Sequence, residues 1–182
     1  MEIIPTFDGA VDLWCVVYPE DKVDILTVLF EKWTDTEYLL EFFVKNINDL
    51  NGTSWQGISI DEAIKLVIDE VYYLQEKLIC INNKLPECWN LTVRDIFTTL
   101  NKQEFMLRKH EERFRKGKID SLPQMLRLYA IELEDNTIIL TGGTIKLTDK
   151  MDRPHFDIEF TRLVRVNDYL KSELIYSKEG LL

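Results

Sequence analysis

The sequence predicts an α+β domain with a small twisted antiparallel sheet, helices packed on it and an enlarged helical N-terminal half. Three observations predict this class. The run VDLWCVVYP (11–19) is rich in valine and aromatic residues, as buried strands are. Apolar side chains recur at helical spacing between residues 20 and 78. Two apolar strands around a polar turn are predicted in RLYAIELEDNTIILTGGTIKLT (127–148). We expect the helices to cover one face of the small sheet that this hairpin forms.

The N-terminal helices are predicted from apolar spacing and from their ends. The first carries Ile25, Leu29 and Trp33 on one side. A second restarts after Thr34 or Asp35 and ends at Asn51-Gly52. The third opens with Ser59 and, three residues later, Glu62, which is the spacing of a capping box.

The remaining elements are predicted to be shorter. Residues 81–100 contain turn formers and a weak helix, and a closing helix follows Pro154 with Asp157 as its N-cap. The chain has no internal repeat or obvious linker. We therefore expect one domain over residues 1–182, with an extended helical region at about 20–100.

Composition limits the classes of protein and of site. Residues 1–100 hold 7 basic against 18 acidic side chains, and residues 101–182 hold 15 against 14. The chain has no apolar run of membrane-spanning length and no signal-peptide pattern, so we expect no membrane partner and a cytoplasmic location. Its three cysteines form no CxxC, which favours buried or idle thiols over a disulfide scaffold. No metal or cofactor motif is present, and none is expected.

The segment KQEFMLRKHEERFRKGK (102–118) is the most basic part of the chain, with seven basic and three acidic residues. A polyanion would have to meet this local patch, because the protein as a whole is acidic. The simpler interpretation is a solvated helix face with charges supporting each other at i,i+4 spacing.

If its loop is short, the predicted hairpin places two cationic side chains on one face, at the end away from the loop. A two-residue Asp135-Asn136 turn pairs Tyr129 with Gly142 and Arg127 with Thr144. Lys146 is then a diagonal neighbour of Arg127, close enough for both side chains to bind one phosphate. A loop one residue longer sends Lys146 to the opposite face. Alternatively, Arg127 pairs with a carboxylate of the acidic half and Lys146 only solubilises the strand end.

Two other features accompany this exit. Gly142-Gly143 lacks the spacing of a nucleotide-binding loop and indicates a bulge or a close approach of another backbone. His155 suits proton transfer near neutral pH and follows the same exit, although a histidine at a helix entrance is more often a cap or exposed to solvent.

The segment LRLYAIELEDNTIILTGGTIKLTDKM followed by EFTRLVRVNDYLK (within 126–171) resembles the C-terminal half of the RelE/HigB/ParE toxin superfamily, including its RelE/HigB-like phage-derived branch. Three features are shared. They are a strand that contains an arginine and a tyrosine, an apolar strand that ends in glycines followed by a lysine, and a helix with the pattern R…DYL. The resemblance covers about a quarter of the chain well. The length and the acidity of this chain depart from the family pattern.

The resemblance implies metal-independent cleavage of ribosome-bound mRNA, in which a ribose 2′-hydroxyl attacks the adjacent phosphate. Arg127 matches the family's strand arginine and Lys146 its strand-end basic residue, and His155 is the candidate for proton transfer. The implied RNA-binding residues are Lys116, Lys118, Tyr129, Lys150 and Arg153. The implied partners are a cognate antitoxin protein, the mRNA and the ribosome.

Three functions follow from these observations. The first is a toxin of a type II toxin–antitoxin system that acts as an mRNA endoribonuclease. The second is a catalytically silent protein-interaction module of the same fold, with its acidic half as the binding surface. The third is a gyrase-directed toxin of the ParE type.

Overall fold

The computed structural model confirms the α+β class. It describes residues 1–7, 12–100, 112–117, 124–148 and 153–182. Within these residues, five α-helices pack against an open, mostly antiparallel sheet of six strands. No helix in the described parts of the chain is long and apolar enough to cross a bilayer.

The sheet has the strand order β1-β2-β6-β5-β4-β3, and among the described strands only the β2–β6 pair is parallel. The strands are β1 (Glu2–Pro5), β2 (Leu13–Val17), β3 (Phe97–Thr99), β4 (Phe114–Gly117), β5 (Leu126–Glu132) and β6 (Ile138–Ile145). The helices are α1 (Ile25–Thr34), α2 (Thr36–Lys45), α3 (Ile47–Asn51), α4 (Ile60–Asn82) and α5 (Pro154–Ser172), with short 3₁₀ turns at Pro86–Cys88, Val93–Ile96 and Lys178–Leu181.

Side-chain caps begin the N-terminal helices, and those of α2 and α4 are the caps that the sequence predicts. The Asp24 carboxylate accepts the backbone N–H groups of Leu26 and Thr27 at 3.0 and 3.1 Å. Asp35 caps α2 in the same way. Ser59 and Glu62 form the predicted capping box at the start of α4. These bonds satisfy helix N–H groups that have no partner within the helix.

Two predictions about elements are wrong. The weak short helix predicted within residues 81–100 corresponds to the 3₁₀ helix Val93–Ile96, which leads directly into β3. Of the basic segment 102–118, residues 114–117 form β4, so this part is not a helix face, and residues 102–111 and 118 lie outside the described residues. The closing helix begins at Pro154, where proline's missing N–H costs nothing, and this puts Asp157 in the first turn instead of at the cap.

The prediction of buried or idle thiols is wrong for Cys80 and Cys88 and is confirmed for Cys15. Cys80 in the last turn of α4 is disulfide-bonded to Cys88, with the two Cα atoms 5.9 Å apart. Cys15 is a free thiol buried in β2. Lys84, which has φ 48°, lies between the two cysteines just after the end of α4.

The hairpin loop is one residue longer than predicted. The Leu133 N–H donates to the Thr137 carbonyl at 2.8 Å, and the Asn136 N–H donates to the Leu133 carbonyl at 3.1 Å. The loop is therefore Glu134–Asp135–Asn136. Asn136 has φ 68°, which is the left-handed residue that a three-residue hairpin loop requires.

A β-bulge at Thr141 offsets the longer loop. Ala130 pairs with Leu140, whereas Tyr129 pairs with Gly142, so Thr141 has no partner residue in β5. Its hydroxyl donates to the Tyr129 carbonyl at 3.0 Å, and its carbonyl accepts the Tyr18 hydroxyl at 2.6 Å. Beyond the bulge, Arg127 pairs with Thr144 as predicted.

Both faces of the sheet carry helices, contrary to the expectation of one covered face. A Cβ at Gly142 would overlap the Glu159 carboxylate of α5. A Cβ at Gly143 would come within 2.7 Å of the Trp33 ring of α1. Because consecutive strand residues face opposite sides, α5 and α1 lie on opposite faces of β6. The close approach predicted from the two glycines is confirmed, but the approaching groups are side chains of helices.

We predict that Asn136→Val lowers the free energy of unfolding by roughly 1–2 kcal/mol, because a β-branched residue resists the left-handed conformation. Asn136→Gly is expected to leave stability unchanged or slightly raised, since glycine adopts this conformation without strain. Urea denaturation of the two variants measures the difference. Equal stabilities of both variants would contradict the left-handed conformation of Asn136.

Candidate functional site

The structure brings three of the predicted cationic residues to one face of the sheet. Arg127 lies opposite Thr144, and Lys116 lies opposite Tyr129 in the neighbouring strand. The Lys146 N–H donates to the Met125 carbonyl at 2.6 Å, so the register of β5 and β6 continues one step past the sheet. Backbone alternation therefore puts Arg127, Lys146 and Lys116 on the same side as Tyr129.

Arg127 is half-buried and bonds to its own strand. Its Nη1 donates to the backbone carbonyls of Leu126 at 2.6 Å and Gln124 at 3.3 Å. Its charge also stabilises the ionised form of the buried Glu70 carboxyl in the acidic half. Arg127 therefore lies on the cationic face and also in the electrostatic field of Glu70 from the acidic half.

Tyr129 packs into the core. Its side chain is only 1% exposed, so in this conformation the ring has no surface on which a base could stack. Lys116 and Lys146 are half-buried. Lys118 and Lys150, the other lysines predicted to bind RNA, lie outside the described residues.

Arg153 and His155 occupy the entrance of α5, next to the end of β6. The Arg153 guanidinium forms two hydrogen bonds to the Asp49 carboxylate, at 2.7 and 2.8 Å. The His155 ring is half-buried against Phe156 and Phe42, with ring centroids 4.3 and 5.6 Å away. Burial lowers the pKa of His155, and the Asp49 charge and a hydrogen bond to the Ile145 backbone partly oppose this. Its contact with Ile145 brings His155 beside Lys146.

A buried carboxylate that the sequence does not predict lies against β6 at Gly142, on the sheet face that carries Arg127. Glu159 of α5 is 4% exposed, and its Oε1 accepts a hydrogen bond from Arg162 at 3.0 Å. Burial raises the pKa of Glu159 to about 7, and the charges of Arg162 and Lys32 oppose this rise. The carboxylate fills the space left by the absent side chain of Gly142.

Tyr18 completes this polar cluster at the open edge of β6, where pairing with β2 has ended. The guanidinium carbons of Arg162 and Arg165 lie 5.2 and 5.5 Å from its ring centroid. Burial raises the pKa of its hydroxyl, which donates to Thr141. A glutamate in a helical pattern normally predicts an exposed residue, so the adjacent glycines were the only sequence signal for this packing.

Glu70 of α4 is a second buried carboxylate, and its role is structural. It accepts the backbone N–H groups of Met125 at 2.9 Å and of Leu126 at 3.1 Å, where β5 begins. Burial raises its pKa to about 7. It ties the long helix to the strand that carries Arg127.

No group of three or more His, Cys, Asp or Glu side chains within the described ranges is arranged to hold a metal ion. The arrangement instead provides positive charge on one sheet face, an imidazole of lowered pKa at the end of that face, and a buried carboxyl group at Gly142 on the same face. Such groups can stabilise developing negative charge and transfer protons.

We predict that stability falls as pH rises from about 4.5 to 7, through Glu70 and Glu159. In this window the folded state keeps protons that the unfolded state has released, because both pKa values are raised by burial. Each group contributes a slope of up to about 1.4 kcal/mol per pH unit. Glu159→Gln is expected to reduce the slope in urea unfolding between pH 5 and 7.5, with the exposed Glu41→Gln as the control. An unchanged slope in Glu159→Gln would contradict the assignment.

No protein-family model, curated protein or solved structure matches this chain.

Proposed function

We propose that this protein is a toxin of a type II toxin–antitoxin system that cleaves ribosome-bound mRNA without a metal ion. The observation that carries the proposal is the shared face of Arg127 and Lys146 at the exit of the hairpin. This face depends on the bulge at Thr141, without which the three-residue loop would turn Lys146 to the other side. In this proposal the protein acts in the cytoplasm, and a cognate antitoxin protein restrains it.

The proposed reaction is attack of a ribose 2′-hydroxyl on the adjacent phosphate, with departure of the 5′-oxygen of the next nucleotide. Negative charge grows on the phosphate oxygens, and the cations of Arg127 and Lys146 stabilise it. A guanidinium has five N–H donors, so the bonds from Nη1 of Arg127 to backbone carbonyls leave donors for a phosphate.

His155 is the proposed base that removes the 2′-hydroxyl proton. Burial favours its neutral form, which is the form that accepts a proton. Its bond to the Ile145 backbone fixes it one residue from Lys146. Lys116, on the same face, is proposed to contact the RNA backbone together with Lys118, Lys150 and Arg153.

Two observations favour the catalytically silent interaction module as a second candidate. The Tyr129 ring is buried, and Arg153 already has two hydrogen bonds to Asp49. In this alternative the acidic half binds a basic partner protein, and the cations near the hairpin only stabilise the fold. The gyrase-directed activity has no separate support in the geometry, and it remains an outcome of the test below.

We predict that induced expression of the chain alone arrests growth and produces new in-frame cuts in translated mRNA, detected by primer extension. Arg127→Ala with Lys146→Ala is expected to abolish both effects, because the phosphate loses its stabilising charges. His155→Gln is expected to slow cleavage by about 10²–10⁴-fold, the usual contribution of a general base. Arg165→Ala with Lys65→Ala removes the same two charges from exposed positions and is expected to retain arrest.

The melting temperature of each variant must also be measured, since Arg127 donates hydrogen bonds to its own strand and its loss could destabilise the fold. Loss of cutting with a melting temperature near that of the wild type supports the proposal. Arrest with damaged DNA and intact mRNA would replace it with the gyrase-directed activity. Absence of arrest at high expression of folded protein would overturn both toxin functions and leave the interaction module.

A further inference from the structure

A cleft of about 560 Å³ lies between the disulfide-closed turn after α4 and the loop of the β5–β6 hairpin. Its floor includes Ile81 and Val93, which are buried, and Asn136 lies at the hairpin side. The volume falls within the range of small-molecule sites. Asn136 and Thr144 are eight residues apart, or roughly 26 Å along a strand, so the cleft is separate from the face that carries Arg127.

Trp89 forms one wall of the cleft and is 73% exposed. It directly follows Cys88, which is bonded to Cys80 of α4. The Cys88 N–H donates to the Leu85 carbonyl at 2.9 Å, and the Leu91 N–H donates to the Cys88 carbonyl at 2.8 Å. The backbone on both sides of Trp89 is therefore fixed. An indole held open to solvent in this way is a platform on which a flat ring can stack.

Two cations line the same cleft. Arg94 is 59% exposed, and its Nε contacts Oε1 of the buried Glu132 at 2.7 Å. The same carboxylate pairs with Arg115, so two guanidinium groups share one carboxylate. Lys84 is exposed and has no ion pair within the described part of the chain. Arg94 and Lys84 thus suit an anionic group such as a phosphate.

The acids of the cleft are already engaged by Lys178. Its Nζ lies 3.3 Å from the Asp12 carboxylate, and its backbone N–H donates to the Asp135 carboxylate at 2.7 Å. Carboxylate oxygens of this kind accept hydrogen bonds from hydroxyl and amino groups of a ligand. Asp135 and the amide of Asn136 therefore give the hairpin side of the cleft groups that can hydrogen-bond to a ligand.

We propose that this cleft binds a nucleotide unit, with the base stacked on Trp89 and the phosphate held by Lys84 and Arg94. A cationic ligand would meet the two cations, and a purely apolar ligand would leave the charged and polar groups unpaired. The ligand is either a free nucleotide or one unit of a single-stranded RNA. The inference does not rest on the proposed ribonuclease activity, because it uses no residue of that site.

The test is titration of the full chain with uridine and adenosine monophosphates and, separately, with a labelled eight-nucleotide single-stranded RNA. Tryptophan fluorescence and RNA anisotropy report binding. Trp89→Ala is expected to weaken binding by about 5- to 150-fold, the range given by the usual energy of one base–aromatic stack. Lys84→Ala is expected to weaken it several-fold. Trp55→Phe and Lys65→Ala are the matched controls and are expected to bind like the wild type.

Equal affinity for the monophosphates and the RNA supports a free nucleotide as the ligand. At least tenfold tighter binding of the RNA, still lost in Trp89→Ala, supports a nucleotide within a strand. Absence of saturable binding by either probe, or unchanged affinity in Trp89→Ala, would overturn the proposal and leave Trp89 as a contact for a protein. The Arg127→Ala, Lys146→Ala variant is expected to bind the monophosphates like the wild type, so failure here is distinguishable from failure of the ribonuclease proposal.

Discussion

The β-bulge at Thr141 is the constraint on which the hairpin and its cationic face depend. It restores the register that the three-residue loop shifts by one position, and so returns Arg127 to a place opposite Thr144. Two hydrogen bonds hold the bulge in place. The Thr141 hydroxyl donates to the Tyr129 carbonyl, and the Thr141 carbonyl accepts the Tyr18 hydroxyl. Tyr18 follows β2, so an N-terminal strand fixes the geometry of a C-terminal site.

The two glycines that follow Thr141 also allow α5 and α1 to pack closely against β6. Gly142 makes room for the Glu159 carboxylate of α5, and Gly143 makes room for the Trp33 ring of α1. Larger residues would push both helices away from β6, which is buried along its whole length. Because α5 begins beside the end of β6, this packing also determines where His155 lies. The fold and the proposed catalytic group are therefore linked through two glycines.

The sequence predicts well those features that depend on local spacing. The capping box at Ser59, the apolar spacing of α1 and the hairpin itself all follow from neighbouring residues. Features that depend on distant partners are not predictable in this way. The Cys80–Cys88 bond, the buried Glu159 and the bidentate Arg153–Asp49 pair each require knowledge of which segments meet. The register of Arg127 was predicted from a two-residue loop, and it holds because a bulge compensates for the third residue.

Cross-strand nuclear Overhauser contacts in the β5–β6 hairpin test the central claim most directly. The account predicts contacts between Ile131 and Ile139 near the loop and between Tyr129 and Gly142 beyond the bulge, with Thr141 unpaired. Contacts from Tyr129 to Thr141, with the shift persisting to the end of the strand, would contradict it. Lys146 would then leave the face of Arg127, and the proposed site would lose one of its two phosphate-binding cations.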